Sequence, residues 1–145
     1  GTSNGFGIGA GILVTTATTN AAAIATITLS YTNSEGVAGR TATISSYPAT
    51  AVIGTFVPFQ LAQGDLGISS IQSITLGTTL TAGAISLIAF NFLATVPVTV
   101  ANIGSIAFQR KLDLKLNHGH CLLPFWLASN TTATNLTGTI YFVNK

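Results

Sequence analysis

Charged side chains are scarce in this sequence. Five Lys and Arg and three Asp and Glu make up 6% of its 145 residues, whereas a soluble domain averages about 25%. Because surface charge keeps protein molecules apart, a freely diffusing monomer of this composition would tend to associate. We therefore expect much of the surface to be covered in a permanent assembly, since large apolar patches mark interaction sites. A secreted domain with Thr- and Ala-rich usage is the alternative interpretation.

The shortage of charge and of long apolar runs also argues against two classes of partner. A nucleic-acid-binding domain needs a basic patch that neutralises phosphates, and five Lys and Arg are poor material for one. An apolar stretch such as residues 84–100 is broken by Asn91 and Pro97, and it falls short of the roughly 20 residues of a transmembrane helix. The sequence therefore predicts no nucleic-acid partner and no membrane partner.

Cysteine is nearly absent. Cys121 is the only one, so the chain cannot form a disulfide with itself and its fold does not depend on oxidation. A chain of 145 residues is nevertheless long enough to build a hydrophobic core without a metal or a disulfide. The length predicts one domain of ordinary size.

The period of an amphipathic helix is almost missing, while Thr, Ile and Val, whose branched Cβ suits strands, dominate. Apolar and polar residues alternate instead, which is typical of half-buried strands. In residues 26–32, for example, Ile27, Leu29 and Tyr31 share one face. Similar strands are predicted at residues 68–77, 110–117 and 138–144.

Residues 82–94 differ from these strands because both of their faces are apolar. This pattern predicts a strand that is buried on both sides, either inside the domain or under a neighbouring subunit.

Eight to ten short strands at roughly ten-residue spacing, separated by turn-forming residues, predict an all-β antiparallel sandwich or barrel, and we choose a jelly-roll-like β-sandwich. We expect a single domain over residues 21–145. Residues 1–20 are Gly- and Thr-rich and weakly patterned, so they form either an arm that orders on a partner or an ordinary first strand.

The stretch from Lys111 to Trp126 holds the residues that are best suited to chemistry, including His118, His120 and Cys121. Histidines at i and i+2 of a strand face the same side and could reach one zinc ion. A structural zinc site takes four ligands, however, and the chain has no other His or Cys. A metal shared by symmetry-related subunits is the alternative. We predict instead a tight turn at residues 117–119 that carries two surface histidines, followed by a buried thiol.

The acidic residues do not predict an enzyme either. Glu35 and Asp65 lie in the turn-like segments "NSEGVAG" and "QGDLG", whereas glycosidase chemistry needs two facing carboxylates in a cleft. "GFGIGAG" near the start is not followed by the strand and helix of a phosphate-binding loop. The sequence therefore predicts no catalytic, cofactor-binding or metal-binding residue, and no cofactor.

Three pieces of the sequence occur in a suggestive order: "YTN" at 31–33, "G–GRT" at 36–41 and "PF–L–GD–G–SIQSI" at 58–74. In this order they resemble virion proteins of tailed bacteriophages, best over residues 30–77. The resemblance implies a small, non-enzymatic β-sandwich of the virion. Within that class we expect a capsid decoration or cement protein, a homotrimer that clamps neighbouring subunits of the major capsid protein. The alternatives are a tail, neck or fibre module, or a secreted carbohydrate-binding jelly roll.

Residues that contact a partner are expected in the Gly- and Thr-rich first twenty residues and in apolar turns. We expect residues 1–20, Phe56 and Phe59 to touch a partner. A carbohydrate-binding surface needs exposed aromatic side chains, and the only tryptophan, Trp126, lies in the apolar stretch "LLPFWLA". This setting predicts a buried indole and argues against the carbohydrate-binding alternative.

Overall fold

The structure is a computed structural model, and it describes residues 4–92. Within that range the chain is all-β and has no helix, which confirms the predicted fold class. All of the strands pair antiparallel. The strands are β1 Gly9–Thr19, β2 Ile27–Asn33, β3 Arg40–Ile44, β4 Thr50–Ala51, β5 Phe56–Pro58, β6 Ile68–Leu76 and β7 Ala82–Phe90.

Sheet 1 is built around β1. The long strand β7 pairs along nearly all of β1, from Gly9 opposite Phe90 to Thr19 opposite Ala82. The short strands β4 and β5 follow one another along the opposite edge of β1. We expected residues 1–20 to form either an arm or an ordinary first strand. In the structure, β1 lies within this range and is the centre of a sheet.

Sheet 2 has the order β3-β2-β6. The pattern predicted for β2 is confirmed, because Ile27, Leu29 and Tyr31 are fully buried and the residues between them are partly exposed. In β6, Ile68, Ile71 and Ile74 are spaced by three, yet two register shifts bring them to one face. One shift leaves an extra residue at Gln72, so that Ile71 lies opposite Tyr31 while Ile74 lies opposite Leu29.

The two sheets pack face to face around one core, as in a β-sandwich. Sheet 1 contributes Ala10, Ile12 and Val14 of β1, and sheet 2 contributes the buried face of β2. Each of these side chains is at most 1% exposed. The jelly-roll connectivity remains a prediction, because the described residues end at Phe92.

One side of this sandwich is closed by chain that passes from sheet 1 to sheet 2. After β5, the amide of Phe59 donates to the carbonyl of Ala10 at 2.9 Å. The next residue, Gln60, exchanges two backbone hydrogen bonds with Thr43 of β3, at 2.8 and 2.9 Å. Residues 56–60 therefore belong to both sheets, and we call this the closed side.

Several sequence-based predictions concern residues outside the described range. These are the strands at 110–117 and 138–144, the histidine turn with His118 and His120, the buried Cys121, and Trp126.

Candidate functional site

The described sandwich contains few charged side chains, and most of them are paired. Residues 4–92 contain three charged side chains, Glu35, Arg40 and Asp65. The Nε of Arg40 lies 2.8 Å from Oδ2 of Asp65, whose side chain is only 4% exposed. Within residues 4–92, Glu35 is thus the charged residue that has no salt bridge, and the surface there is otherwise neutral.

The Asp65 carboxylate is the centre of a hydrogen-bond network. The hydroxyl of Tyr31 and the Nε of Arg40 donate to Oδ2, and the Nδ2 of Asn33 donates to Oδ1 at 2.9 Å. The Tyr31 hydroxyl in turn accepts a hydrogen bond from the amide of Ala62 at 3.1 Å. Three donors from β2 and β3 therefore hold the loop that leads into β6.

Asn33 extends the network into the β2–β3 turn. Its Oδ1 accepts hydrogen bonds from the amides of Glu35 and Val37, at 3.0 and 2.9 Å. Gly36 adopts a φ of 85° inside this turn, a conformation that glycine adopts without strain. The asparagine side chain thus stabilises the turn with one end and binds Asp65 with the other.

The network shifts the pKa of each of its ionisable members. The hydrogen bonds from Arg40, Asn33 and Tyr31 lower the pKa of the Asp65 carboxyl to about 2, against an ordinary value of 3.8. Burial, and then the hydrogen bond to Asp65, raises the pKa of Tyr31. The hydrogen bond to Asp65 raises the pKa of Arg40. Asp65 is therefore an ionised anchor between loops, with both oxygens engaged by the protein.

The acidic residues Glu35 and Asp65 lie in or next to turns, as the sequence predicts. Glu35 is in the β2–β3 turn, and Asp65 follows the turn at residues 63–64. What the sequence analysis missed is that Asp65 gathers Tyr31, Asn33 and Arg40. The signal was present, because these four residues belong to the three pieces "YTN", "G–GRT" and "GD–G" on which the resemblance rests.

Large apolar side chains are exposed on the described surface. Six of them are more than half exposed: Phe6, Val37, Val52, Ile53, Leu66 and Phe92. Val52 and Ile53 form the tip of the β4–β5 turn, which a hydrogen bond from the amide of Thr55 to the carbonyl of Val52 closes at 3.1 Å. Gly54 has a φ of 86° at the third position, which is typical of a type II turn.

Aromatic rings cover the glycines on the outer face of sheet 1. The rings of Phe56 and Phe90 meet edge to face with centroids 5.1 Å apart, and Phe90 meets Phe92 in the same way at 4.8 Å. A Cβ at Gly9 would lie 2.8 Å from the Phe90 ring, and one at Gly11 would collide with the Phe56 ring. The missing side chains of β1 therefore let the rings approach the strand closely.

One of the two expected aromatic contact residues is misplaced. Phe59 is 7% exposed and belongs to the core, so it does not offer a contact surface. Its place on the closed side explains this, since the chain turns inward there to cross between the sheets. Phe56 is partly exposed on the outer face of sheet 1.

A groove of about 370 Å³ lies between β6 and β7, on the side of the sandwich opposite the closed side. We call it the open side, and define it by residues 69–76 of β6 and by β7. Apolar side chains make up most of its lining, which consists of Gly5, Ile8, Ile68, Ser69, Ser70, Ile71 and Ala89. The inward-facing Ile74, Leu76, Ile85 and Leu87 next to it are only partly buried. On this side, residues 4–92 therefore cover the core less completely than they do on the closed side.

The strand predicted to be buried on both faces is less covered than expected. Within residues 82–92, Ile85, Leu87, Ile88 and Phe90 are partly buried, and the remaining residues are exposed. The apolar pattern on its two faces has separate causes: Leu87 faces the core opposite Ile12, while Phe90 lies on the outer face opposite Gly9.

The described residues contain no group of three or more His, Cys, Asp or Glu side chains that could hold a metal ion. They also contain no helix that is long and apolar enough to cross a membrane. Comparison with protein-family models, with curated proteins and with solved structures gives no match to this chain.

Proposed function

We propose that this chain is a non-enzymatic structural subunit of a tailed-phage virion, and that it serves as a capsid decoration or cement protein. One observation carries the proposal: a sandwich whose surface is nearly free of charge exposes several large apolar side chains. Proteins that diffuse freely rarely combine these two properties, because charge keeps molecules apart and apolar patches bring them together.

The Asp65 network supports a structural role for the pieces that resemble virion proteins. The arginine and the aspartate of "G–GRT" and "GD–G" bind each other at 2.8 Å, and both oxygens of the carboxylate accept hydrogen bonds. These polar residues fix the β2–β3 turn to the loop before β6. In this arrangement they keep the sandwich rigid, which a subunit under mechanical load requires.

The physical mechanism is the burial of apolar surface. Each square ångström of apolar area removed from water contributes about 25 cal/mol, and a standard interface buries about 1,600 Å². A sandwich that spreads such contacts over neighbouring capsid subunits and over its own copies adds bonds that internal pressure must break. A closed ring, such as the trimer we expect, uses an apolar surface without forming fibres.

The proposal can be tested directly on virions that are produced by a host carrying the gene for this chain. Mass spectrometry of purified virions should find the chain at a copy number comparable to that of the shell protein. Adding the purified full chain to shells that lack it should raise the temperature at which the shells break. Virions without the chain, or shells whose stability is unchanged at saturating chain, would contradict the proposal.

The place of the chain in the particle separates the decoration role from a tail, neck or fibre role. Antibodies raised against the purified full chain should label the outside of the capsid in electron micrographs. Label that is confined to the tail or the neck would keep the chain as a virion subunit and would overturn the decoration role.

A further inference from the structure

The asparagines of the described sandwich differ in how firmly the fold holds their side chains. Asn33 is 4% exposed and is hydrogen-bonded through both its oxygen and its nitrogen. The Oδ1 of Asn20 accepts a hydrogen bond from the amide of Thr81 at 2.9 Å. Asn4 is exposed, and within residues 4–92 its side chain makes no hydrogen bond. Of these three side chains, that of Asn4 is thus the one that protein contacts in this range do not restrain.

The residue that follows each asparagine matters, because asparagine is chemically labile. The backbone nitrogen of the next residue can attack Cγ of the asparagine, and a glycine has no side chain to obstruct that approach. Asn4 is followed by Gly5, whose amide donates no hydrogen bond within the described range. Asn33 is followed by Ser34, whose amide is engaged with the carbonyl of Gly67 at 2.9 Å.

We propose that Asn4 is a site of spontaneous deamidation, and that it is modified before the other asparagines of residues 4–92. The Gly5 nitrogen loses its proton to hydroxide and forms a bond with Cγ of Asn4, and the side-chain nitrogen leaves as ammonia. Water then opens the succinimide ring at either of its carbonyls. The products are aspartate and isoaspartate, so the reaction consumes one water molecule and needs no oxidant or reductant.

The fold presents the two reacting groups differently. Gly5 is buried with a φ of 81°, and a Cβ on it would collide with the carbonyl of Ile68. This close packing holds the attacking nitrogen in place. The side chain of Asn4 is exposed, so it can rotate onto that nitrogen without displacing another described residue.

The product carboxylate lies close to Glu35. Glu35 is exposed and has no salt bridge within residues 4–92. A pocket of about 260 Å³ is lined by Asn4, Ser34, Glu35, Gly36 and Ser69. Deamidation therefore adds a second negative charge at this pocket and lowers the formal net charge of +2 by one. On a surface with so few charges, a single modification of this kind changes the local field.

Ageing of the purified full chain tests the site. The wild type and Asn4→Gln are incubated at neutral and at alkaline pH, digested with pepsin at acid pH, and analysed by tandem mass spectrometry. Asn4 should gain the mass that separates a carboxyl from an amide, and should do so faster at alkaline pH because the Gly5 nitrogen must lose a proton. Isoelectric focusing should show an acidic form that accumulates later in Asn4→Gln, since the longer side chain closes the ring more slowly.

The ratio of two rates in the same sample measures the selectivity of the site. In the folded chain, Asn4 should be modified at least about tenfold faster than Asn33, which corresponds to a difference of about 1.4 kcal/mol in activation free energy. Equal rates at the two asparagines would overturn the proposal.

A sample in guanidinium chloride separates the effect of the fold from that of the local sequence. Unfolding removes the hydrogen bonds of Asn33, so its rate should rise, while the rate at Asn4 should stay close to that of the folded chain. An Asn4 that keeps its amide in the folded chain but loses it in guanidinium chloride would show that the fold protects the site, and the proposal would fail. Neither result bears on the place of the chain in a virion, so this modification stands or falls separately from the proposed function.

Discussion

Arg40 donates a hydrogen bond from its Nε to Oδ2 of Asp65 at 2.8 Å, although the two residues are 25 positions apart in the chain. Arg40 begins β3, and Asp65 lies in the loop that leads into β6. These strands occupy the two flanks of sheet 2, with β2 between them. The ion pair therefore ties together the two flanks of one sheet at the end where its turns lie.

Asp65→Asn should destabilise the fold at neutral pH. An amide presents two donors where the carboxylate accepts three hydrogen bonds, so at least one of Tyr31, Asn33 and Arg40 loses its acceptor. We expect the melting temperature to fall by several degrees. Glu35→Gln is the matched control, because Glu35 has no salt bridge within residues 4–92, and its melting temperature should remain close to that of the wild type.

The same carboxylate sets an acid limit of stability. The folded state lowers the pKa of Asp65 to about 2 from 3.8, so the unfolded chain takes up a proton first as the pH falls. The contribution of Asp65 is complete above about pH 4 and is lost as the pH falls to about 2. Denaturation curves between these pH values should show a smaller loss of stability in Asp65→Asn than in the wild type. Parallel losses in both proteins would show that other groups cause the acid limit.

The buried hydroxyls of Thr18 and Tyr47 should depend on each other. They lie 3.0 Å apart, and both residues are at most 1% exposed. Tyr47→Phe or Thr18→Val alone leaves one hydroxyl without its partner and should cost about 1–2 kcal/mol. The double variant should cost less than the sum of the two, as a denaturation cycle would measure. Strict additivity would show that the two hydroxyls do not form the bond.

Gly67 should be intolerant of any side chain. A Cβ at this position would lie 2.8 Å from the backbone nitrogen of Gly7 and 3.0 Å from the carbonyl carbon of Gly5. The backbones of residues 5–7 and 66–68 cannot separate without losing hydrogen bonds such as that from Gly7 to Leu66 at 2.8 Å. We expect Gly67→Ala to cost about 2–3 kcal/mol of unfolding free energy.

Gly64→Ala provides the comparison for Gly67→Ala in the same loop. Gly64 has a φ of 89° but open space around it, so the substitution should cost about 1 kcal/mol through backbone strain alone. Chemical denaturation of both variants distinguishes crowding from backbone strain. Equal costs would mean that the two backbone segments move apart easily.

Assembly through the surface of residues 4–92 should be insensitive to ionic strength. Salt largely screens interactions between exposed charges that are more than about 8 Å apart at physiological ionic strength, and it screens nearer pairs as its concentration rises. The surface of residues 4–92 offers Glu35 as its unpaired charge, so contacts through that surface draw mainly on apolar groups. Sedimentation at low and at high NaCl should give the same mass, and sulfate should increase it. A mass that falls as NaCl rises would contradict an apolar interface.

Local pattern predicted the strands well where they alternate without interruption. The strand β2 is the clearest case, since Ile27, Leu29 and Tyr31 all face the core. The face of β6 was not predictable in the same way, because an extra residue at Gln72 changes which residues point inward. Bulges depend on the partner strand, and a sequence pattern contains no information about the partner.

The Asp65 network shows a second limit of prediction. Turn chemistry identified Asp65 and Glu35 as loop residues, and both lie in loops. It could not show which of the two would be buried, because the donors Tyr31, Asn33 and Arg40 reach Asp65 through the pairing of β2 with β3 and β6. The contact residue Phe59 was misjudged for a related reason, since the crossing of the chain between sheets buries it.

The central position of β1 has a consequence for synthesis on the ribosome. β1 is translated before all of its partners, and the longest of them, β7, ends only at Phe90. At 5–20 residues per second, the ribosome needs about 4–14 s to make the roughly seventy residues from the end of β1 to the end of β7. During that time Ala10, Ile12 and Val14 emerge in the nascent chain without the strand that completes their sheet. The fold therefore closes late. Until then, chaperones or rapid folding must keep the apolar residues of β1 from forming non-native contacts.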